Sequence, residues 1–315
     1  MDKQARVYVA GHAGLIGSAL VRQLRARGYR RLITRPRAEL DLTNQAQVAA
    51  FFATARPECV LFAAGRTGGV YANSTYRGEF LYENLMMAAN VIHQAYLHEV
   101  RKLVYFGCSS MYPRLCPQPI TENAVLTGPL EPTNEPFAVA KIAGARMCES
   151  YNRQYGTDFL TLIPANIYGP DQRYDPMNSL VVPALMRRMH DARLAGAAQI
   201  EVWGSGRQAR DFLYVDDLAD ATCFLLEQDP VDREFNVGTG RDYTIHELAD
   251  ILRRVVRFPG EIVFDPGRPE GVPTRLQDVT RLTTLGWTAR TGLEEGLRST
   301  YRDYLSRQET TRGLS

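Results

Sequence analysis

The 315-residue chain has few cysteines, and their placement argues against two kinds of fold. They are odd in number and widely spaced, namely Cys59, Cys108, Cys116, Cys148 and Cys223. Disulfide-rich secreted domains and zinc modules instead need paired cysteines at short, regular spacing. We therefore predict no disulfide framework, no metal site and a location in the reducing cytoplasm.

The chain also lacks a long apolar segment and a strong excess of charge. No hydrophobic run approaches the roughly 20 residues of a membrane-spanning helix. A strand pattern begins too near the N-terminus to leave room for a signal peptide. The net charge is only +2, so we expect neither a nucleic-acid partner nor a membrane partner. With 45% hydrophobic residues, the composition predicts a globular protein with a large core.

What the chain does have is a glycine-rich segment near its start, Gly11-His-Ala-Gly-Leu-Ile-Gly17. An apolar strand pattern precedes it, and an amphipathic helix pattern follows it to about Arg27. In this setting Gly11 permits a tight turn, Gly14 lets a pyrophosphate approach and Gly17 allows close packing. The free N–H groups of the helix N-terminus suit phosphates. The segment predicts a dinucleotide site, the alternative being a glycine-rich turn without a ligand.

Two later segments indicate which dinucleotide is bound. A second strand ends in Arg35 and Arg37, which suit the 2′-phosphate of NADP, whereas an acidic residue there would favour NAD. The alternative is a solvated basic turn. Asp41 and Leu42 form the kind of pair that borders an adenine. A third strand, 59–63, ends in a loop of small residues, 64–69, which lets the backbone pass close to a ligand.

Strand patterns continue to alternate with helix patterns as far as Gly169, which predicts an α/β fold with a doubly wound parallel sheet. We predict an NADP-binding domain at 1–170 and a smaller substrate lobe at 171–315. The lobe is expected to be partly interleaved with the first domain, because 235–240 has the pattern of a strand that rejoins the sheet.

A helix predicted over 135–155 begins Glu-Pro-Phe-Ala-Val-Ala-Lys and places Phe137 and Lys141 on one face. A Tyr-x-x-x-Lys pair at this spacing is typical of the active-site helix of short-chain dehydrogenases. There the lysine ammonium lowers the pKa of the phenol and grips a cofactor ribose, and the phenol delivers a proton to a ketone. In this chain the ring is present and the hydroxyl is missing.

The second lobe contributes an aromatic residue and several arginines, namely Arg188, Trp203, Arg210 and Arg275. An aromatic ring can stack on a base, and guanidinium groups suit a diphosphate. The alternative is that these arginines lie on solvated helices.

Together these segments resemble the extended short-chain dehydrogenases that act on nucleotide sugars, and more narrowly the GDP-L-fucose synthase family of epimerase–reductases. The resemblance runs nearly end to end. Its markers are Val9-Ala-Gly-His-Ala-Gly14, Leu130-Glu-Pro-Thr-Asn-Glu-Pro136, Ala140-Lys-Ile-Ala-Gly144, Cys148-Glu-Ser-Tyr-Asn-Arg-Gln-Tyr-Gly156, Val202-Trp-Gly-Ser-Gly206 and Phe235-Asn-Val-Gly-Thr-Gly240. It implies a Rossmann-type fold, NADP(H), a GDP-linked 4-keto-6-deoxy sugar as substrate, and a homodimer formed through two long central helices.

The residues and the resemblance together give a set of expected ligand-binding positions. Those for NADP are Gly11, Ala13, Gly14, Leu15, Ile16, Gly17, Arg35, Arg37, Asp41, Leu42, Ala63, Ala64, Gly65, Lys141, Pro164, Asn166 and Ile167. Those for the nucleotide sugar are Asn166, Arg188, Trp203, Arg210 and Arg275.

The residues of the proton chemistry depart from the family pattern. Phe137 replaces the family's proton-donating tyrosine, and Cys108 replaces the serine that helps to hold the substrate ketone. Ser110 replaces the cysteine that moves protons beside the ketone, and Leu180 replaces its histidine partner. A serine hydroxyl is a far weaker acid than a thiol, whose pKa is near roughly 8.5. Two milder departures are Ala13, where arginine is common, and Arg275, where lysine is usual.

The favoured hypothesis is an NADPH-dependent reductase of a GDP-4-keto-6-deoxy hexose or heptose with reduced or lost epimerase activity. Lys141 and Ser109 are then the surviving polar groups near the hydride, and Tyr112, Ser109 or a water on Lys141 is the proton source. One alternative is a GDP-L-fucose synthase inactivated by a Tyr-to-Phe change. A second is a catalytically silent protein that binds GDP-sugar and NADP. A third is a non-redox isomerase that recycles bound NADP.

Overall fold

The computed structural model describes residues 1–175, 179–267 and 271–312. In these ranges the strands are β1 (Val7–Ala10), β2 (Leu32–Ile33), β3 (Cys59–Phe62), β4 (Lys102–Phe106), β5 (Phe159–Pro164), β6 (Asn166–Tyr168), β7 (Gln199–Trp203), β8 (Ala209–Tyr214), β9 (Glu234–Val237), β10 (Asp242–Thr244), β11 (Glu261–Asp265) and β12 (Thr274–Arg275). The helices are α1 (Leu15–Ala26), α2 (Gln45–Ala55), α3 (Val70–Thr75), α4 (Arg77–Leu97), α5 (Glu135–Tyr155), α6 (Val181–Leu194), α7 (Val215–Glu227), α8 (Ile245–Val256), α9 (Thr280–Thr284) and α10 (Leu293–Arg312). Short 3₁₀ turns lie at Ser109–Met111 and Glu122–Ala124.

A six-stranded sheet, in the order β2-β1-β3-β4-β5-β9, forms the centre of the molecule. All its neighbouring strands are parallel. The chain passes outward from β1 on both sides, so the strand order reverses between β1 and β3. Ligands of open α/β sheets bind beyond the carboxyl ends of the strands at such a point. The predicted α/β fold with a doubly wound parallel sheet is confirmed.

Both faces of this sheet are covered, as its apolar strands require. Along β4, Val104 and Phe106 enter the core cluster that contains the buried residues of α1 and α7. Leu103 and Tyr105 enter the opposite cluster, which contains residues of α2, α4 and α5. The alternation of side chains along a strand therefore supplies both cores from one segment.

Helix α5 has the predicted bounds, and local signals at both ends explain them. Glu135 and Pro136 stand in its first turn, where an acidic side chain and a proline are both favourable. Gly156 ends the helix in the left-handed region with φ 66°, a conformation that glycine adopts without steric cost. Helix α5 packs against α4, β5, β4 and the turn at Ser109–Met111, and its Lys141 bonds to the last residue of β4, Phe106, at the carboxyl edge of the sheet.

The second unit is built around β8, which pairs with β10, β12 and β6, and around a separate β7–β11 pair. Its own core contains buried residues of α6, α8 and α10. The two units share chain segments, because β9 adds to the large sheet after the chain has passed through β7 and β8. The boundary at residue 170 remains a prediction. In the described ranges, no helix is both long enough and apolar enough to cross a membrane.

Candidate active site at the carboxyl edge of the large sheet

The glycine turn, Gly11–Gly17, joins β1 to α1 at the point where the strand order reverses. Gly11 has φ 79°, and a Cβ on it would lie 2.7 Å from the Cα of Ala64 at the end of β3. A Cβ on Gly17 would lie 2.1 Å from the carbonyl oxygen of Gly11. Both positions therefore require glycine. Gly14 precedes α1 without a side-chain cap, which leaves the first N–H groups of the helix for another acceptor.

The space around this turn fits a dinucleotide phosphate on two counts. The exposed Ala13 and Gly14, followed by the half-buried Leu15 and Ile16, form an open rim over the helix N-terminus. The Nδ1 atom of His12 is buried and has no hydrogen-bond partner among the described residues. A buried polar atom without a partner is costly, so a ligand that reaches it would gain from pairing.

The basic segment after β2 is exposed and close to β1. The Arg35 side chain is 46% exposed and the Arg37 side chain 70% exposed. Arg35 Nε lies 3.6 Å from Glu39, and Arg37 lies 3.9 Å from Asp41 and 3.4 Å from Glu83. Both guanidinium groups therefore remain accessible to an anion.

Asp41 and Leu42 are engaged mainly in local structure. The Asp41 carboxylate accepts hydrogen bonds from the N–H and hydroxyl of Thr43 at 2.9 and 2.8 Å. These bonds hold the pKa of Asp41 below its ordinary value. Leu42 is buried, and its carbonyl accepts from Asn90 at 2.9 Å. Their predicted position beside an adenine remains a prediction.

The small-residue loop after β3, which includes Ala63, Ala64 and Gly65, is held by a residue that the sequence analysis missed. The buried Asn84 of α4 accepts from the N–H of Arg66 at 3.0 Å and donates to its carbonyl at 3.1 Å. A Cβ on Gly65 would be 3.7 Å from Lys141 Nζ, so the loop passes next to this lysine. A buried asparagine within the apolar stripe of α4 was the available signal.

Phe137 and Lys141 lie on one face of α5, as their spacing predicts. Lys141 Nζ is 5.9 Å from the centroid of the Phe137 ring and 5.0 Å from that of Tyr105. It donates to the carbonyl oxygen of Phe106 at 2.8 Å. Lys141 is only 7% exposed, and this burial lowers its pKa. An ammonium has three N–H groups, so in the described structure two remain for a ligand.

The turn after β4 brings Cys108, Ser109 and Ser110 against α5. Asn134, just before α5, donates through Nδ2 to Ser110 Oγ at 3.1 Å, and Cys108 is half-buried. Burial raises the pKa of Cys108, and the nearby Lys141 charge opposes this rise. We call Cys108, Ser110, Asn134, Phe137 and Lys141 the proton-transfer corner. Asn134 is the member that the sequence analysis did not single out.

Tyr112 is excluded as the proton source that the sequence analysis had considered. It is fully buried, and its hydroxyl donates to Asn236 Oδ1 at 2.5 Å. Asn236 also accepts from Gln277 at 2.7 Å and donates to two backbone carbonyls. The phenol is therefore part of an interior hydrogen-bond network that ties β9 to the segment before α9.

On the second unit, Arg210 and Arg275 lie side by side, because β12 pairs with β8 in the register that opposes them. Arg210 donates to the carbonyls of Ala209 and Pro273. Arg275 is 5% exposed and donates to the carbonyls of Ser109 and Pro113. Burial, reinforced by the charge of Arg275, lowers the pKa of Arg210 to about 10. Two neighbouring guanidinium groups bonded to carbonyls form a positively charged region suited to an anion.

The remaining predicted positions lie on several different elements. Trp203 is 54% exposed at the end of β7, and Arg188 donates to the carbonyl of Glu201 in that strand. Pro164 ends β5. Asn166 opens β6, followed by Ile167, and its side chain donates to the carbonyl of Asp211 at 3.2 Å. Leu180 is 47% exposed just before α6.

The parallel sheet, the glycine turn and the buried lysine of α5 define a Rossmann-type nucleotide-binding protein with a dehydrogenase-like helix. The chain belongs to the NAD dependent epimerase/dehydratase family, whose model matches residues 7–238.

Known relatives resemble the chain in sequence or structure over nearly its whole length. The chain is 48% identical over 322 residues to the GDP-L-fucose synthase of Escherichia coli, covering 99% of this chain and 100% of that protein. A GDP-6-OMe-4-keto-L-xylo-heptose reductase from C. jejuni superposes with a TM-score of 0.92 at 37% identity, covering 98% and 99% of the two chains. A GDP-mannoheptose C4 reductase from Campylobacter jejuni with NADP bound gives 0.88 at 39% identity, covering 97% and 99%.

Proposed function

We propose that the protein is an NADPH-dependent reductase of the 4-keto group of a GDP-4-keto-6-deoxy sugar, a hexose or a heptose, with little or no epimerase activity. The observation that carries the proposal is a contrast between the group retained for reduction and the groups expected for epimerisation. Lys141 is buried and lies close to Gly65, in the loop that packs against the glycine turn. The groups suited to epimerisation are replaced. Both the GDP-L-fucose synthase and the two GDP-heptose reductases support a GDP-sugar substrate.

The chain's own residues have distinct tasks in this reaction. The glycine turn and the N-terminus of α1 bind the cofactor phosphates, and Arg35 with Arg37 bind the 2′-phosphate that distinguishes NADPH. An NADPH bound there would supply the hydride through its nicotinamide. Lys141 holds the ribose and places a positive charge near the oxygen that becomes negative during reduction. Arg210 and Arg188 bind the diphosphate of the substrate, and Trp203 stacks on its base.

The loss of epimerisation follows from the two groups that would exchange protons on the ring carbons. Leu180 carries no proton to transfer. Ser110 carries a hydroxyl, whose high pKa makes it a weak acid and keeps it un-ionised, so that no alkoxide is present to act as a base. Its oxygen already accepts a hydrogen bond from Asn134. A sugar whose ring stereochemistry requires no inversion therefore suits this site.

The test measures NADPH oxidation with GDP-4-keto-6-deoxy-mannose and identifies the product by NMR, for the native chain and for Phe137→Tyr. We expect the native chain to oxidise NADPH with retention at the neighbouring ring carbons. We expect Phe137→Tyr to be about 10- to 100-fold faster, since a positioned general acid contributes up to about 10⁴-fold.

Three other outcomes would contradict the proposal. Inverted ring carbons would indicate a GDP-L-fucose synthase. An inactive native chain with an active tyrosine variant would indicate an inactivated member of that lineage. Binding of NADPH and GDP-sugar without turnover by either protein would indicate a silent binding protein.

A further inference from the structure

Phe137 leaves the proton-transfer corner without a phenol, and the neighbouring tyrosines do not replace it. Tyr112 donates to Asn236 in the interior. Tyr105 is 1% exposed and its hydroxyl donates to the backbone carbonyl of Lys141 at 3.3 Å. Both phenols therefore already have acceptors and lie in the core. The proton for a reduction must come from another side chain or from solvent.

Helix α5 and the residue just before it form hydrogen bonds on either side of Cys108 in the sequence. Lys141 Nζ bonds to the carbonyl of Phe106, two residues before Cys108, at 2.8 Å. Asn134 bonds to the hydroxyl oxygen of Ser110, two residues after it, at 3.1 Å. These two bonds hold the turn that carries Cys108 against the first turns of α5, the helix that carries Phe137.

The surroundings of the thiol suit a group that releases a proton and recovers it. Burial is the largest influence and raises the pKa of Cys108, so the sulfur is protonated at neutral pH. The Lys141 ammonium, the N–H and hydroxyl of Ser110, and the Arg275 guanidinium all act in the opposite direction. These groups favour the thiolate that remains once the proton has left.

We propose that Cys108 is the proton donor of the reduction, in place of the absent phenol. This assignment rests on the proposed function. The hydride from the reduced nicotinamide adds to the carbonyl carbon and the C=O π bond becomes an oxygen lone pair. That oxygen forms an O–H bond as the S–H bond of Cys108 breaks. The resulting thiolate, paired with the Lys141 ammonium, then takes a proton from solvent.

The first test is a double-mutant cycle followed by single-turnover NADPH oxidation, which reports the chemical step. We expect Cys108→Ala to slow hydride transfer about 100-fold in the native background, within the range for loss of a general acid. In the Phe137→Tyr background the same change should cost less than about 5-fold, because the phenol then supplies the proton and the two effects are not additive.

A second variant and a matched control separate chemistry from folding. Cys108→Ser keeps the shape but offers a weaker acid, and we expect it to lose about 10-fold. In the native chain the rate should decline at alkaline pH as the Cys108 thiol ionises, with a midpoint above the ordinary thiol pKa. Cys108→Ser should lose this decline. Cys116, a half-buried cysteine of the same loop, is the control, and Cys116→Ser should leave the rate unchanged.

A binding measurement tests the position of the thiol without turnover. In the absence of NADPH, GDP-4-keto-6-deoxy-mannose should protect Cys108, but not Cys116, from alkylation by iodoacetamide, as followed by peptide mass spectrometry. Absence of this protection would overturn the assignment, because the sulfur would then lie away from the sugar.

The kinetic outcomes distinguish this inference from the proposed function. If the native chain oxidises NADPH but Cys108→Ala is equally fast, the thiol is not the donor and the reductase function stands. An equal loss in both backgrounds would mean that the sulfur only holds the ketone or the turn, which also overturns the assignment. If the native chain oxidises no NADPH, both the function and the assignment are wrong.

Discussion

The glycine turn and the proton-transfer corner lie at the same edge of one sheet, yet they are specified in different ways. At Gly11 and Gly17 a single added carbon would meet backbone atoms at 2.7 and 2.1 Å, so glycine is required. The corner is built from side-chain ends held by single hydrogen bonds, such as that from Asn134 to Ser110. Backbone contact permits one residue type, whereas proton chemistry can be supplied by several side chains at slightly different places.

This difference explains how one site can match its family closely in binding and poorly in acid–base residues. Under the proposed function, a thiol at Cys108 in place of one at the position of Ser110 would change the chemistry and leave the fold unaltered. Moving a glycine by two residues would break the close approach of β1 and β3.

The largest expected effect is that of Lys141→Met, which removes the corner's charge and leaves its shape. We expect kcat/KM for NADPH-dependent reduction to fall by about 10³-fold, within the range for loss of a group that acts in proton transfer. The free energy of unfolding should be unchanged or higher, since replacing a buried charge by an apolar side chain of similar volume is often neutral or stabilising. Steady-state kinetics and urea unfolding, followed by tryptophan fluorescence, measure the two quantities.

The pH dependence of this stability effect has a definite sign. Burial lowers the pKa of Lys141 below its unfolded value of 10.5, so between the two values the unfolded chain binds more protons. The contribution of Lys141 to the free energy of unfolding therefore rises with pH between its folded and unfolded pKa values. The advantage of Lys141→Met should shrink as the pH approaches 10.5. If the stability advantage of Lys141→Met over the native chain instead grew with pH, the result would contradict the burial of a charged lysine.

A smaller effect, on stability rather than rate, is expected at the glycine turn. Gly17→Ala should lower the free energy of unfolding by about 1–3 kcal/mol, the usual cost of overpacking. Gly14→Ala is the matched control, because its Cβ would contact only the Gly11 carbonyl oxygen, at 3.4 Å. It should change stability by less than about 0.5 kcal/mol. Equal losses in urea unfolding would show that the two glycines are not distinguished by packing.

The cofactor preference provides the next test. Replacing both Arg35 and Arg37 by alanine should weaken NADPH binding about 10-fold and leave NADH binding unchanged, because only NADPH carries the 2′-phosphate. The loss for NADPH should diminish at high salt. Arg30→Ala, at another exposed arginine before β2, is the control. Fluorescence titration measures both affinities, and an equal loss for the two cofactors would exclude a 2′-phosphate contact.

The smallest effect on catalysis is expected for Tyr112→Phe, which separates the interior network from the corner. The variant should lose about 1 kcal/mol of stability through one hydrogen bond, because Asn236 Oδ1 still accepts from Gln277. Its rate of NADPH oxidation should stay within about 3-fold of the native rate, well below the 10²-fold or greater loss expected on removal of a general acid. A loss of that size would restore Tyr112 as a proton source.

Much of the fold was predictable because its signals are local. The alternation of strands and helices, the glycine spacing and the ends of α5 depend on residues within a few positions of one another. Helix α5 has its predicted bounds because Pro136 and Gly156 act through the backbone dihedral angles of the adjacent turns. The pairing of Phe137 and Lys141 on one face follows from helix geometry alone.

The sequence by itself determined the class of fold, the glycine turn and the missing phenol, since each is carried by residue identity at short spacing. Only the tertiary structure decided which side chains remain free for chemistry. Arg275 bonds to the carbonyl of Ser109, 166 positions away, and Tyr112 bonds to Asn236, 124 positions away. Whether a polar group is available depends on which partner the fold brings to it, and no local pattern encodes a partner at that distance.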